Sequence, residues 1–561
     1  MSSRRREAFG LVLLLVVAAG VRAWAWSRTV VLFNDGPVFL SIADAMAHGR
    51  WAEVFAHPYH PLYPFCVWVV GGLPVDPETA GVVVAIGGGV LAVAALTVFL
   101  RDAFGPEVAW LGGWMVALHP SAVDFSADVM SDGLYAGLFL ASFACLARAV
   151  ARPNAGSALA AGLLAGLAYW VRPEGIGLVL VGCLLLAWRA LTDDGRGRGR
   201  ALVAAGGLLA VALLVVLPYV SALAERSGDF ALTRKKSLTA LVTGREPSPL
   251  RVPRPEPADI GDGEAAALPS TSIALPELAI RADGPGAQRP PRTPLGLLQA
   301  FTRALRTTLS ALRYEVLVFV VLGFWASRGR ERGWHERTIV VVTVVYGALL
   351  VLLVWGAGYV SRRHALAFVL PWIGFAAFGW QWAMGAAFDS IRLAHFGRRF
   401  GARDACRRSR WTLWALIVVL GLVWGPRDLR MRRADRAPVR AASEWLARHH
   451  PDSGPVASQK LRAAYYAGAP YVPLMSGLDG RLEQGLRDRG ARWIVIDEAR
   501  FGDHLGIEEG IGEWLRPAYR AQVGTQAAVV LEILPSPAPR DGIWQPRRPD
   551  QGDRGDALSV Q

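Results

Sequence analysis

Residues 4–26 read RRREAFGLVLLLVVAAGVRAWAW, three arginines followed by an apolar run from Ala8 to Trp26. About 20 apolar residues are what a helix needs to cross a bilayer. The arginines hold the N-terminus on the cytoplasmic side, so the chain after Trp26 emerges outside. Ala23-Trp24-Ala25 would suit a signal-peptide cleavage site. The run is long and many more follow, so it reads as an uncleaved anchor.

The same pattern recurs down the chain. Apolar runs cover Ala80–Leu100, Val108–Leu118, Gly133–Ala149, Ala158–Val171, Gly175–Trp188 and Ala201–Val220. Tyr314–Ala326, Thr338–Trp355, Ala365–Met384 and Trp411–Trp424 follow, which predicts about eleven spans with the first. Leu62–Leu73 is short and flanked by proline, and reads as a half-span or interfacial helix. Of the 561 residues 53% are hydrophobic and 19% charged, with a mean hydropathy of +0.31. That balance is too apolar for an ordinary soluble chain.

The net charge of +14 would suggest a nucleic-acid partner on a soluble protein. Here much of the arginine lies in short loops, at Arg4 to Arg6, Arg196 to Arg200, Arg328 to Arg337 and Arg398 to Arg410. This is the distribution of the positive-inside rule, and no nucleic-acid partner is expected. An odd number of spans places the N-terminus in the cytoplasm and the C-terminal region outside. The Arg-rich, Lys-poor, Ala/Gly-rich usage suits a GC-rich bacterial genome, and the chain is expected in a bacterial cytoplasmic membrane. Cys66, Cys145, Cys183 and Cys406 have no CxxC spacing, so neither a disulfide framework nor a zinc-cysteine site is expected.

The predicted architecture is mostly α: a polytopic transmembrane helical bundle over 1–426, with interfacial helices in the first external loop. A long external loop over 220–312 is expected to be partly disordered. A small external α/β domain fills 427–535, and a Pro/Arg/Asp-rich tail, 536–561, reads as disordered. Within the domain, Ala437–His450 and Arg481–Arg489 read as helices, and Pro455–Gln459 and Arg492–Asp497 as strands.

Ionisable residues beside spans are costly and usually mark function or a required pairing. They gather in loops predicted to share the outer face. The first loop carries Phe33-Asn34-Asp35-Gly36-Pro37 and His57-Pro58-Tyr59-His60-Pro61-Leu62-Tyr63-Pro64. Later ones carry His119, Asp124, Asp128 and Ser131-Asp132, then Arg172-Pro173-Glu174-Gly175, then Ser361-Arg362-Arg363-His364. Glycosyl transfer needs a carboxylate to deprotonate the acceptor hydroxyl or stabilise the oxocarbenium-like transition state. It also needs arginine to neutralise a phosphate leaving group. Asp35 could serve as base, Asp128 or Asp132 as second carboxylate, and Arg172, Arg362 or Arg363 as phosphate clamp. Each has a plainer reading: Asp35 and Asp132 as turn or cap residues, His57 and His60 as interfacial polar groups, Arg362-Arg363 snorkelling to headgroups, and Arg172 paired with Glu174.

Together these residues resemble the GT-C superfamily of membrane glycosyltransferases. The family of protein O-mannosyltransferases, the lipid A aminoarabinose transferase and bacterial lipopolysaccharide-sugar transferases is the nearest in pattern. Its first-loop Asp-Glu-x-x-Tyr-x-x-Ile-Ala is similar to Asp35-Gly36-Pro37-Val38-Phe39-Leu40-Ser41-Ile42-Ala43. Its His-Pro-Pro-Leu-Tyr-Pro resembles His60-Pro61-Leu62-Tyr63-Pro64, and its span-opening acid resembles Ser131-Asp132. Gly162, Gly166, Arg172 and Pro173 match a Gly-x-x-x-Gly-x-x-x-x-x-Arg-Pro pattern, and Arg362-Arg363-His364 a late arginine motif. The resemblance spans Ala8 to Trp424.

It implies a catalytic base at Asp35, with a polyprenyl-phosphate sugar donor held by Arg172 and Arg362 or Arg363. Glu174, His57, His60 and Tyr63 are implied around that donor, and Asp128 and Asp132 as further carboxylates. The acceptor would be a lipid, a polysaccharide or a protein hydroxyl. Gly36 stands where the family has a second acid. Some members need a divalent metal; no clear ligand set is visible here, and the point is left open. A transporter or flippase of a lipid-linked or anionic substrate is the main competing reading, and a scaffold that binds wall polymers is another.

Overall fold

The computed structural model describes residues 3–227, 232–233, 293–329, 331, 333–396, 402–474, 482–499, 507 and 510–535. Among them, seven helices are long and apolar enough to cross a membrane. They are Glu7–Ser27, Pro77–Phe104, Asp132–Ala151, Pro173–Thr192, Arg196–Arg226, Trp334–Ala357 and Arg362–Phe388. Pro294–Leu312 and Tyr314–Ala326, bent by 90°, make an eighth if counted as one span. The chain is a multi-pass membrane protein, and among the described residues seven or eight spans stand against the eleven predicted. Val108–Leu118 falls in Pro106–Ala117, whose 12 residues reach only ~18 Å at 1.5 Å per residue. Ala158–Val171 falls in the 17-residue helix Ala155–Val171. Trp411–Trp424 sits in Ala402–Asp428, whose 27 residues are long enough to cross, with charged residues at both ends lowering its mean hydropathy. Apolar runs mark burial as readily as lipid contact, and only length separates the two.

The first loop holds three short helices, Gly36–Ala47, Trp51–Ala56 and Leu62–Gly71, in the region predicted to carry interfacial ones. Within the expected loop 220–312 the structure instead has a helix over Pro294–Leu312. Leu295, Leu298, Phe301 and Leu305 are exposed on it while Ala300, Ala304 and Ala311 are buried. Arg and Thr on its remaining positions lower its mean hydropathy, which hid an amphipathic helix suited to an interface. Most of 228–292, residues 397–401 of the basic loop, and the tail 536–561 lie outside the described residues.

Glycines allow close helix crossings. A side chain at Gly88 of Pro77–Phe104 would overlap the backbone of Gly133 and Leu134, and one at Gly137 the Gly88 carbonyl. Their absence lets helix Asp132–Ala151 lie against its neighbour and fixes where Asp132 begins it. Gly162 and Gly166 likewise admit Leu208 and Val215 of Arg196–Ser227. That contact anchors the helix ending at Val171.

The C-terminal region forms a five-stranded sheet: β1 Val456–Ser458, β2 Tyr471–Pro473, β3 Trp493–Asp497, β4 Leu515–Val523 and β5 Gln526–Ile533. Its order is β2-β1-β3-β5-β4, with β1 parallel to β2 and β3, and β5 antiparallel to β3 and β4. Helices Ala437–His449, Leu461–Tyr466 and Leu482–Arg487 accompany it. The sequence located β1, β3 and the helices Ala437–His449 and Leu482–Arg487, and missed β2, β4, β5 and the helix Leu461–Tyr466. The β4–β5 hairpin turns on Gly524, whose φ of +61° suits glycine.

One face of this sheet docks on the first loop. Val38, Ile42, Met46 and Val54 share an apolar cluster with Ala442, Leu446, Val456 and Ala464. The Val30 amide donates to the Arg432 carbonyl (3.1 Å), and the Arg432 amide to the Arg28 carbonyl (2.8 Å). The Leu32 amide donates to the Tyr466 hydroxyl at 2.9 Å.

Candidate active site

The ends of several bundle helices meet beside the first loop. Asp35 precedes helix Gly36–Ala47 as its N-cap residue, yet its side chain makes no capping bond. Its Oδ2 instead accepts from Arg363 Nη1 at 2.6 Å, and the Tyr59 phenol donates to the same carboxylate. Burial, reinforced by that carboxylate, keeps the Tyr59 hydroxyl protonated well above its ordinary range. Arg363 stands in the first turn of Arg362–Val369, whose start is fixed by a capping box between Ser361 and His364. Arg362 beside it is exposed.

A second pair lies next to the first. Helix Ala155–Val171 stops because Pro173 drives Arg172 into extended backbone, with φ of −152°. Arg172 is only 4% exposed, and its Nη1 pairs with Asp132 Oδ1. Its Nη2 lies 3.4 Å from Glu174 Oε1, and its guanidinium covers the Tyr135 ring at 5.3 Å. Asp132 and Arg172 act electrostatically on Arg363, so the two pairs form one charged cluster. Asp132 is the first helical residue, and Ser131 takes the cap position.

Asp128 stands in a third pair. It is 1% exposed, with Oδ1 accepting from the Val129 amide at 2.8 Å and Oδ2 from Arg433 Nη2. Burial raises its carboxyl above the ordinary value, and Arg433 offsets part of that rise. Arg433 also donates through Nε to the Val31 carbonyl at 2.5 Å. Phe33 has Arg363 over its ring at 5.4 Å and Arg433 at 5.9 Å, which links this pair to the Asp35 pair.

The remaining predicted residues have partners inside the fold. Tyr63 is fully buried and donates to the Gly81 carbonyl at 3.0 Å. His60 is buried between Tyr169 and Tyr219, with Nε2 3.1 Å from the Thr233 hydroxyl. His57 stacks on Tyr59 at 5.3 Å and accepts from its amide at 3.3 Å. They brace the loop that carries Tyr59. Sequence reasoning passed over Tyr59, Phe33 and Arg433 as site residues. Arg433 had a signal: Arg430, Arg432, Arg433 and Arg436 follow the last apolar run on the predicted outer side, where the charge rule favours few arginines. Among the described residues no group of three or more His, Cys, Asp or Glu could hold a metal ion.

The arrangement offers a carboxylate that can accept a proton beside guanidinium groups that can take up a phosphate. The family model for dolichyl-phosphate-mannose-protein mannosyltransferase matches residues 56–222. A crystal structure of ArnT from Cupriavidus metallidurans bound to undecaprenyl phosphate superposes with a TM-score of 0.54 at 14% identity, covering 94% of this chain and 98% of that one. The archaeal oligosaccharyltransferase AglB from Archaeoglobus fulgidus, in complex with an inhibitory peptide and a dolichol-phosphate, gives 0.58 at 12% identity, covering 94% and 74%. At these identities the likeness is one of fold. A search of curated protein sequences finds no match.

Proposed function

We propose that this chain, which carries the GT-C fold, transfers a sugar from a polyprenyl-phosphate donor to an envelope acceptor at the outer face of a bacterial cytoplasmic membrane. The observation that carries the reading is the Asp35–Arg363 pair beside Asp132–Arg172 at the ends of spanning helices. Asp35 is the general base for the acceptor hydroxyl. Donor phosphate, by bonding Arg363 and Arg172, takes over charge that the carboxylates neutralise in the free chain and leaves Asp35 ready to accept the proton. The same guanidinium groups stabilise the phosphate as the glycosidic bond breaks. A transporter would place such charges near the bilayer midplane; these stand at helix ends, on the side of the first loop.

In this reading the N-terminus is cytoplasmic and the sheet domain external, which puts the pairs, the first loop and that domain on one side. Support for a lipid-phosphate donor comes from the fold relatives, whose structures hold undecaprenyl phosphate and dolichol-phosphate. The test is reconstitution of the purified chain with radiolabelled polyprenyl-phosphate sugars and envelope extract. Label should move to an acceptor with native protein, and Arg172→Gln and Arg363→Gln should each raise the donor KM. No transfer with any such donor, with movement of the donor across the bilayer instead, would favour the transporter.

A further inference from the structure

Arg462 lies in helix Leu461–Tyr466, four residues after the last residue of β1, and is only 8% exposed. Among the described residues its guanidinium has no hydrogen-bond acceptor and no carboxylate at ion-pair distance. Its charged neighbours are Arg436, Arg433 and Asp435. The other charges there are committed: Arg433 to Asp128, and Arg436 to Asp435 at 2.9 Å and Asp497 at 3.2 Å. Burial, then Arg436 and Arg433, pull the Arg462 guanidinium down to about 10. A buried cation among cations, with no anion of its own, is costly to fold.

The backbone places Arg462 where parallel sheets bind ligands. β1 lies between β2 and β3 and is parallel to both, so the carboxyl ends of β1 and β3 open on one edge. After β1, Leu461 and Ala464 pack on one face of the sheet; after β3, Ile507 packs on the other. Residues that follow adjacent parallel strands and pack on opposite faces of the sheet flank the place, beyond the strands' carboxyl ends, where open sheets bind ligands. Asp497 closes β3 and holds Arg436 there. From Arg462 the cations lead through Arg433 and the Phe33 ring to Arg363 and Asp35.

We propose that the crevice at the carboxyl ends of β1 and β3, with Arg462 as its uncommitted cation, binds an anionic group, phosphate or carboxylate, carried by the acceptor. The assignment to the acceptor rests on the transferase reading; the anion site itself does not. The sheet domain thereby presents an anionic acceptor to the carboxylate pairs, with the arginine row aligning it.

The test uses the full chain in nanodiscs of zwitterionic lipid, titrated calorimetrically with inorganic pyrophosphate and separately with undecaprenyl phosphate. The native chain should bind pyrophosphate and unfold at a higher temperature in its presence. Arg462→Met should bind it at least tenfold more weakly and lose that thermal shift, while binding undecaprenyl phosphate within twofold of native. Without anion, Arg462→Met should unfold at a higher temperature than native, because an uncompensated buried charge is gone. A structural arginine would give the opposite sign. Arg462→Lys, which keeps charge but not the bidentate fork, should retain part of the binding and serves if the methionine variant misfolds.

Equal pyrophosphate affinity in native and Arg462→Met, or none in the native chain, would overturn the site. Parallel loss of undecaprenyl phosphate binding would assign the arginine to the donor and overturn the acceptor reading. Asp35→Asn should bind pyrophosphate as native does. A native chain that binds pyrophosphate yet never transfers sugar would keep the anion site and defeat only the transferase.

Discussion

Asp128 and Arg433 stand 305 positions apart in the sequence and share one hydrogen bond. Removing one partner of a buried ion pair leaves the other uncompensated, which typically costs about 3–5 kcal/mol. Arg433→Ala should therefore destabilise the fold by that order, and Asp128→Asn in the same background should recover part of it, as a double-mutant unfolding cycle would read. Burial holds the Asp128 carboxyl above its unfolded value, and loss of Arg433 moves it further the same way. The folded chain then holds the proton more tightly than the unfolded one. The stability of Arg433→Ala should accordingly rise as pH falls from neutral towards ~4, and be lost again as pH rises. At the other pair, under the proposed function, Arg363→Gln removes a charged hydrogen bond to donor phosphate, worth ~1.5–3 kcal/mol. Its donor KM should rise about 10- to 100-fold, with Asp35 still in place. Asp35, Asp132 and Arg172 were legible individually, because each is a charge at the edge of an apolar run, and Arg363 only as one of two with Arg362. Their pairings were not: the partners lie 328 and 40 positions apart, and no local period connects them.

At the scale of elements, helix existence was readable from hydropathy, and helix role was not. Pro106–Ala117 is as apolar as a span but too short to be one, and Pro294–Leu312 is a helix that average hydropathy concealed. Strand length did not decide what was legible: three-residue β1 was located, while nine-residue β4 and eight-residue β5 were not. β4, LRPAYRAQV, is largely exposed and carries no regular apolar alternation to read. Gly162 and Gly166 entered as motif positions, and the structure gives them a physical task in helix contact. The crossing of Pro77–Phe104 with Asp132–Ala151 is more sensitive still. Gly88→Leu must push backbone apart and should leave little folded protein by size-exclusion profile in detergent. Gly87, one residue away, faces open space, so Gly87→Ala should fold at least as well as native, gaining up to ~1 kcal/mol of helix propensity.

Across the whole molecule, the sheet domain and the first loop share an apolar cluster, and Arg433 carries the domain's first residues into the charged cluster. The boundary drawn at 426/427 from composition therefore separates parts that pack together beside the pairs. If the domain is external, a cysteine replacing exposed Arg489 should react with a membrane-impermeant maleimide on intact spheroplasts, and one replacing exposed Arg198 only after lysis. The central claim, that Asp35 is the base of a lipid-phosphate-dependent transferase, meets its most direct test in one comparison. Single-turnover transfer from a radiolabelled polyprenyl-phosphate sugar would be measured for native protein and for an Asp35→Asn variant shown to be folded. As the base, Asp35 should be worth at least about a hundredfold in this transfer, with donor binding preserved, the usual scale for losing such a group. Equal transfer by both would contradict the claim and remove Asp35 from the chemistry.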